Sequence, residues 1–218
     1  MTQAILWAMA GTGFTFFMTS MGSATVFFFK KEISASIQRI FLGFAAGVMI
    51  AASIWSLLIP AMEEAKSAGQ PEWLAASGGF ILGIAFLMLL DSVLPHLHPG
   101  AKEAEGLSAN WKRTTMLMTA VTLHNIPEGM AVGLSFALAA QSGQGAGYAA
   151  AMALALGMGI QNFPEGAAIS LPLRQEGISR TKSFVYGMLS GIVEPIFGIL
   201  VVLIAGQIGP LMPWLLSF

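Results

Sequence analysis

Charge is missing from this chain for long stretches at a time. Ala4–Phe29 and Ile40–Met62 contain no Asp, Glu, Lys or Arg, and Trp73–Leu90 is charge-free up to Asp91. Three further stretches carry one charge each: Thr114–Tyr148 (Glu128), Ala149–Leu173 (Glu165) and Ser183–Ala205 (Glu194). Roughly 20 apolar residues in a helix cross the hydrocarbon core of a bilayer. With 10% charged residues, against about a quarter in a soluble domain, the chain has too little polar surface to keep a core this apolar in water. The expectation is an all-α, polytopic transmembrane helix bundle forming one domain over 1–218. Its helices are expected at about 4–29, 38–62, 73–95, 114–140, 147–172 and 183–205, with a truncated seventh at 207–218 and a flexible cytoplasmic loop at 96–113.

Orientation follows from the cations. Lys30, Lys31 and Arg39, then Lys102, Lys112 and Arg113, then Arg174, Arg180 and Lys182 fall in alternate loops, and only Lys66 falls on the other side. Loops rich in Lys and Arg stay in the cytoplasm, so the N-terminus is expected outside. No basic segment precedes the first apolar run, which argues against a cleaved leader. There is no cysteine, so thiolate metal sites are excluded. Nothing suggests a nucleic-acid partner or an organic cofactor. Trp73, Trp111 and Trp214 sit near expected water boundaries, where amphipathic rings are favoured.

Within two consecutive spans a motif recurs. "HNIPEGMAVGL" (His124–Leu134) and "QNFPEGAAISL" (Gln161–Leu171) share six of eleven residues at an offset of 37. Consecutive spans run in opposite directions, and oppositely oriented repeats are a common plan among transporters, with the site between them. His124 and Glu128 are four apart and share a helix face, with Asn125 beside them. Gln161, Asn162 and Glu165 repeat the set. Pro127 and Pro164 lack an N–H and are expected to free or kink the carbonyls of Leu123 and Ile160, opening each helix. Gly129 and Gly166 are expected to let the two helices approach closely. Glu194, in "GIVEPIFG", again adjoins a proline.

Ionisable groups inside a bilayer are expensive and usually functional. Three converging carboxylates need protons or a cation to neutralise them, and a structural role with protonated glutamates is the blander alternative. Imidazole, carboxylate and amide oxygen form an intermediate-to-hard ligand set suited to Zn²⁺, Fe²⁺ or Mn²⁺. Moderate affinity suits an ion that must also leave.

On "LHNIPEGMAVG" and "GIQNFPEGAAISLPLR", supported by "GIVEPIFG" and "GFAAGVMIAASIWSLLIPAMEEA", the chain is similar along its whole length to the ZIP family of divalent metal transporters, in particular its prokaryotic GufA-like branch. The resemblance implies an eight-helix fold with outward termini. It also implies an inner-membrane protein moving Zn²⁺, and also Cd²⁺, Fe²⁺ and Mn²⁺, toward the cytoplasm. It implies a two-metal centre between helices four, five and six, with His124, Asn125 and Glu128 from the fourth, Gln161, Asn162 and Glu165 from the fifth, and Glu194 from the sixth. Glu128 and Glu165 would bridge the ions. Met49 matches a thioether ligand position, although most methionines only fill gaps. Some relatives carry Asp where this chain has Asn162, so the second metal position loses a charge.

Weaker signals lie along an expected pathway. Asp91, His96 and His98 in "LLDSVLPHLHPG" are placed to receive an ion at the cytoplasmic end of the third helix; a polar helix end meeting water is the equal alternative. Glu63 at the outer end of the second helix is placed to attract cations, and Ser56 to line the outer path. Rival readings are an intramembrane metal-dependent hydrolase and a truncated, non-transporting metal-binding form. The hydrolase reading lacks a second histidine within the membrane for the H-E-x-x-H pattern. Pairing into a homodimer through Gly- and Ala-rich faces is an expectation the composition allows.

Overall fold

The computed structural model describes residues 2–28, 35–97, 103, 105–108, 112–143, 145–207 and 209–218. Helix α1 (Thr2–Ala24) tightens into a 3₁₀ turn at Thr25–Phe27. Helix α2 (Ala35–Ala51) passes through a π-helical stretch (Ala52–Leu58) into α3 (Ile59–Ser67), followed by α4 (Glu72–Val93). Two long helices follow, α5 (Arg113–Ser142) and α6 (Gly145–Gln175), then α7 (Arg180–Ser190) and α8 (Val193–Ala205). A 3₁₀ turn at Gly209–Leu211 leads into α9 (Met212–Ser217). Among the described residues the only β pairing is an isolated antiparallel bridge between His96 and Glu105.

Four helical segments are both long and apolar enough to cross a membrane: Thr2–Phe27, Gly43–Ser67, Glu72–Val93 and Arg180–Ala205. Helices α5 and α6, with 30 and 31 residues, reach about 45 Å at 1.5 Å per residue. Their length suffices, but the polar motif residues dilute their hydropathy. The protein is an α-helical integral membrane bundle.

Proline acts differently at four places. Pro60 cannot supply an N–H to the carbonyl of Ser56, and just before it the chain widens, with the N–H of Ile59 bonding the carbonyl of Ile54, five residues back. Pro127 and Pro164, expected to open their helices, sit inside helices that run on unbroken. The break falls instead before Pro195, so the expected sixth helix is two helices with a turn at Gly191–Ile192. Pro195 offers no N–H to the carbonyl of Gly191, which takes the N–H of Glu194 instead at 3.1 Å.

The site is positioned by α1, α5, α6, α7 and α8, which pack on one another. One face of α1 carries Thr12, Thr15, Thr19 and Ser23, all fully buried. The hydroxyls of Thr12, Thr15 and Thr19 donate to the carbonyls of Ala8, Thr12 and Thr15, so this polar stripe enters the core without orphaned donors. Beyond the motifs, toward the α5 C-terminus, the same helices close over a dry cluster that includes Val132, Phe136, Leu154, Met158 and Val202.

By contrast α4 buries only Ala75, Gly79 and Gly83, which lie where α9 crosses it. Ser217 Oγ donates to the carbonyl of Ala75 at 2.8 Å, and a side chain at Gly78 would meet the Trp214 ring. Its remaining apolar residues, such as Trp73, Ile81 and Met88, face outward, as a membrane-exposed helix requires. The chain after α4 is not simply a free linker. Glu105 returns to exchange both backbone hydrogen bonds with His96, and the N–H of Leu97 reaches the carbonyl of Met116 at 3.3 Å. Leu97 is buried among Leu117, Ile169 and Leu173.

Candidate metal site

Seven residues singled out by the two motifs and by Glu194 come from three helices. Asn125 and Glu128 on α5, Gln161 and Asn162 on α6, and Glu194 on α8 are buried. Glu165 is half-buried, and the His124 side chain is 48% exposed. The carboxylates of Glu128, Glu165 and Glu194 lie close enough to interact electrostatically.

Glycine sets the distance between elements. A Cβ on Gly129 would collide with the backbone of Glu194, and one on Gly166 with the backbone of Thr19 and Ser23. The motif glycines were expected to join α5 to α6. They instead seat α5 against α8 and α6 against α1.

Hydrogen bonds then orient each polar group. The Gln161 Nε2 amide donates to Glu128 Oε1, and His124 Nε2 lies 3.4 Å from the same oxygen. Asn162 Nδ2 donates to Glu194 Oε2 at 2.9 Å, while Thr19 Oγ1 lies 3.3 Å from Glu194 Oε1. Asn125 Nδ2 donates to the carbonyl of Ser190 at 3.0 Å. That carbonyl is available because the turn before Pro195 diverts the N–H of Glu194 to Gly191. A proline in the sequence thus leads, through one lost helix bond, to the orientation of an asparagine on another helix.

Each of the three amides therefore spends an NH₂ proton on a protein acceptor. Turning Asn125 over would set its oxygen against the Ser190 carbonyl, and turning Gln161 or Asn162 over would set oxygen against an ionised carboxylate. The consequence lies in the oxygens. Among the described residues, eight buried side-chain polar atoms have no hydrogen-bond partner. Three are serine hydroxyls, and five are motif oxygens: Asn125 Oδ1, Glu128 Oε2, Gln161 Oε1, Asn162 Oδ1 and Glu165 Oε2. Buried polar atoms are nearly always satisfied. Carboxylate and amide oxygens are acceptors, and together with an imidazole they are the donor set of a borderline-to-hard divalent cation. The chemistry of the residues fits such an ion as cargo.

The sequence did not reveal the contributions of Thr19 and Ser190. Thr19 reads as one of four hydroxyls at helical spacing on α1, and Ser190 contributes only its backbone.

Met49 is half-buried on α2 and Ser56 half-buried in the π-helical stretch, while Glu63 is exposed on α3. Asp91 at the end of α4 lies 3.0 Å from His96 Nε2, with the His96 Nδ1 atom 2.8 Å from the Leu94 carbonyl. Glu105 joins them, so that one ligand atom from each lies within 4.8 Å of the others. His98 lies outside the described residues.

The chain matches no family model, yet it resembles curated proteins over nearly its whole length. It is 35% identical to zinc transporter ZIP11 of Xenopus tropicalis, with 98% of this chain and 84% of the relative aligned. It is 36% identical to zinc transporter GufA of Myxococcus xanthus, over 92% and 77%, and 32% identical to zinc transporter ZupT of Chlorobium chlorochromatii, over 90% and 74%. These likenesses set aside the hydrolase reading. With a paired motif on two long helices and relatives of this coverage, the chain belongs to the ZIP family of transporters, in its GufA-like branch.

Proposed function

We propose that this protein carries divalent transition-metal ions, Zn²⁺ foremost and Cd²⁺, Fe²⁺ and Mn²⁺ with it, across a bacterial inner membrane toward the cytoplasm. The observation that carries the reading is the group of five unpaired buried oxygens on α5 and α6. An ion stripped of water at this depth needs replacement oxygens already aimed, and the spent amide protons aim them. Glu128 and Glu165 supply the negative charge, Gln161 and Asn125 supply neutral oxygens, and His124 supplies a borderline nitrogen.

The direction rests on the cation distribution and on the packing. The motif residues are capped on one side by the apolar cluster around Val132 and Phe136. His124, one turn nearer the α5 N-terminus, remains half-exposed. The α5 N-terminus adjoins Lys112 and Arg113, the side assigned to the cytoplasm by charge. On that side Asp91, His96 and Glu105 form a group suited to receive the departing ion.

The test is Zn²⁺ and Cd²⁺ uptake into proteoliposomes by the chain and by its Glu165→Ala variant. Uptake by the first with none by the second is expected. Equal uptake by both would remove α6 from the pathway and sink the site assignment.

A further inference from the structure

Small and hydroxyl-bearing residues of three helices meet at one junction. Ser23 on α1, Gly166 on α6 and Gly187 on α7 are all buried. Ser23 Oγ donates to the Gly166 carbonyl at 3.2 Å. A Cβ on Gly187 would lie 3.4 Å from that same carbonyl oxygen and collide with the Ser23 side chain.

One turn beyond this junction two hydroxyls are left over. Ser170 Oγ and Ser183 Oγ are fully buried and have no hydrogen-bond partner. The register of the hairpin sets them face to face. Helix α6 ends at Gln175 and α7 begins at Arg180, so a short turn makes them antiparallel, with Gly187 of one against Gly166 of the other. Four residues on in α6 and four back in α7, Ser170 comes opposite Ser183. Carried further, the same pairing closes at Glu176–Gly177, where the turn lies and Gly177 takes a φ of 87°.

Helical serines commonly satisfy themselves on a carbonyl three or four residues back, as Ser20 does on Phe16 and Ser190 on Gly187. For Ser170 the carbonyl four back is that of Gly166, which Ser23 already occupies. The surroundings are otherwise apolar: Ile169 and Leu173 belong to one buried cluster, and Val26, Ala167 and Leu171 to another that Phe184 packs against. Two neutral hydroxyls in such a place offer no charge to balance an ion. They suit a small neutral ligand that both gives and takes hydrogen bonds.

We propose that Ser170 and Ser183 bind one buried water molecule that bridges α6 and α7. The water completes the junction begun by Ser23, Gly166 and Gly187. It thereby seats α7, the helix whose Ser190 carbonyl holds the Asn125 amide. The inference stands on the packing of α6 and α7 and is independent of the transport reading.

The experiment compares thermal unfolding midpoints in detergent for the full chain, Ser170→Ala, Ser183→Ala and the double variant. Each single substitution is expected to lower the midpoint by about 2–4 °C, the scale of one hydrogen-bonded link in a chain of this size. Alanine is the better helix former, so such a fall runs against intrinsic preference. The double variant is expected to fall no further than the worse single, because the water leaves with its first partner. A midpoint that rises in either single variant would mean a dry, unpaired hydroxyl and would overturn the inference. Additive losses, which require two separate partners, would do the same. A crystal structure of the unsubstituted chain that resolves ordered water then separates a bridge from direct contact. A density peak within hydrogen-bond distance of both Oγ atoms is expected; hydroxyls touching each other, or no peak between them, would overturn the proposal.

Discussion

The two copies of the motif put the same residue types at the same spacing and meet different neighbours. Asn125 gives its amine to a backbone carbonyl, that of Ser190, whereas Asn162 gives its amine to a carboxylate, that of Glu194. Glu128 accepts from Gln161 on the facing helix, whereas Glu165 keeps a bare oxygen without that support. Gly129 meets α8 and Gly166 meets α1. A duplicated segment thus supplies a half-site twice, and the surrounding helices make the halves unlike. What a motif residue does is set as much by the element facing it as by the motif.

The equivalence of the halves is broken most severely at the carboxylates. Glu128→Ala and Glu165→Ala are each expected to reduce Zn²⁺ uptake by at least about 100-fold, beyond the range of a residue that only supports a ligand. Side-by-side uptake from vesicles decides it. If Glu165→Ala retained a substantial fraction of the flux while Glu128→Ala did not, the α5 copy alone would form the site.

Next in size are the glycines. Gly129→Ala and Gly166→Ala each force a methyl group into the backbone of the neighbouring helix, and overpacking of that kind costs about 1–3 kcal/mol. Both variants are expected to lower the thermal unfolding midpoint in detergent by similar amounts. Gly13, where a Cβ would meet nothing within 4 Å, provides the control: Gly13→Ala is expected to leave the midpoint unchanged or raise it. A loss confined to Gly166→Ala would mean that α8 can yield where α1 cannot.

The asparagines should diverge in sign. Asn125→Asp sets a carboxylate oxygen against the Ser190 carbonyl, two acceptors facing each other in a buried place, and is expected to weaken Zn²⁺ binding about tenfold. Asn162→Asp is expected to raise affinity at the second metal position rather than weaken the first. Calorimetric titration of the pair separates the roles, and parallel behaviour would mean that Ser190 and Glu194 orient nothing.

Much of this was legible in the residues, and what was not has a common cause. Charge-free runs fixed the class of fold, and the repeat pointed to the residues that gather on α5 and α6. Helical spacing tells which side chains share a face but not which helix that face will meet. The partners of Gly129 and Gly166 were therefore misjudged, and Thr19 passed as one of several hydroxyls on α1. The loop after α4 gave no sign that Glu105 would return to His96. Pro127 and Pro164 were read as opening their helices. Yet both sit inside helices that run on unbroken, and the break falls before Pro195 instead.

That distinction yields the smallest expected effects and the finest test. Pro195→Ala restores an N–H for the carbonyl of Gly191. The chain can then carry α7 straight into α8, with the N–H of Glu194 returning to the carbonyl of Ser190. Asn125 would lose its acceptor, its amide would be free to turn, and Zn²⁺ affinity is expected to fall by about three- to tenfold. Pro127→Ala and Pro164→Ala also restore an N–H, to the carbonyls of Leu123 and Ile160, but within helices that are already continuous. No side chain of the site depends on those carbonyls through a hydrogen bond among the described residues, so affinity is expected to stay within about twofold. Titration of the three variants orders the prolines. Should Pro127→Ala or Pro164→Ala weaken binding as much as Pro195→Ala, the freed carbonyls would themselves be ligands, and each half-site would extend one turn further along its helix.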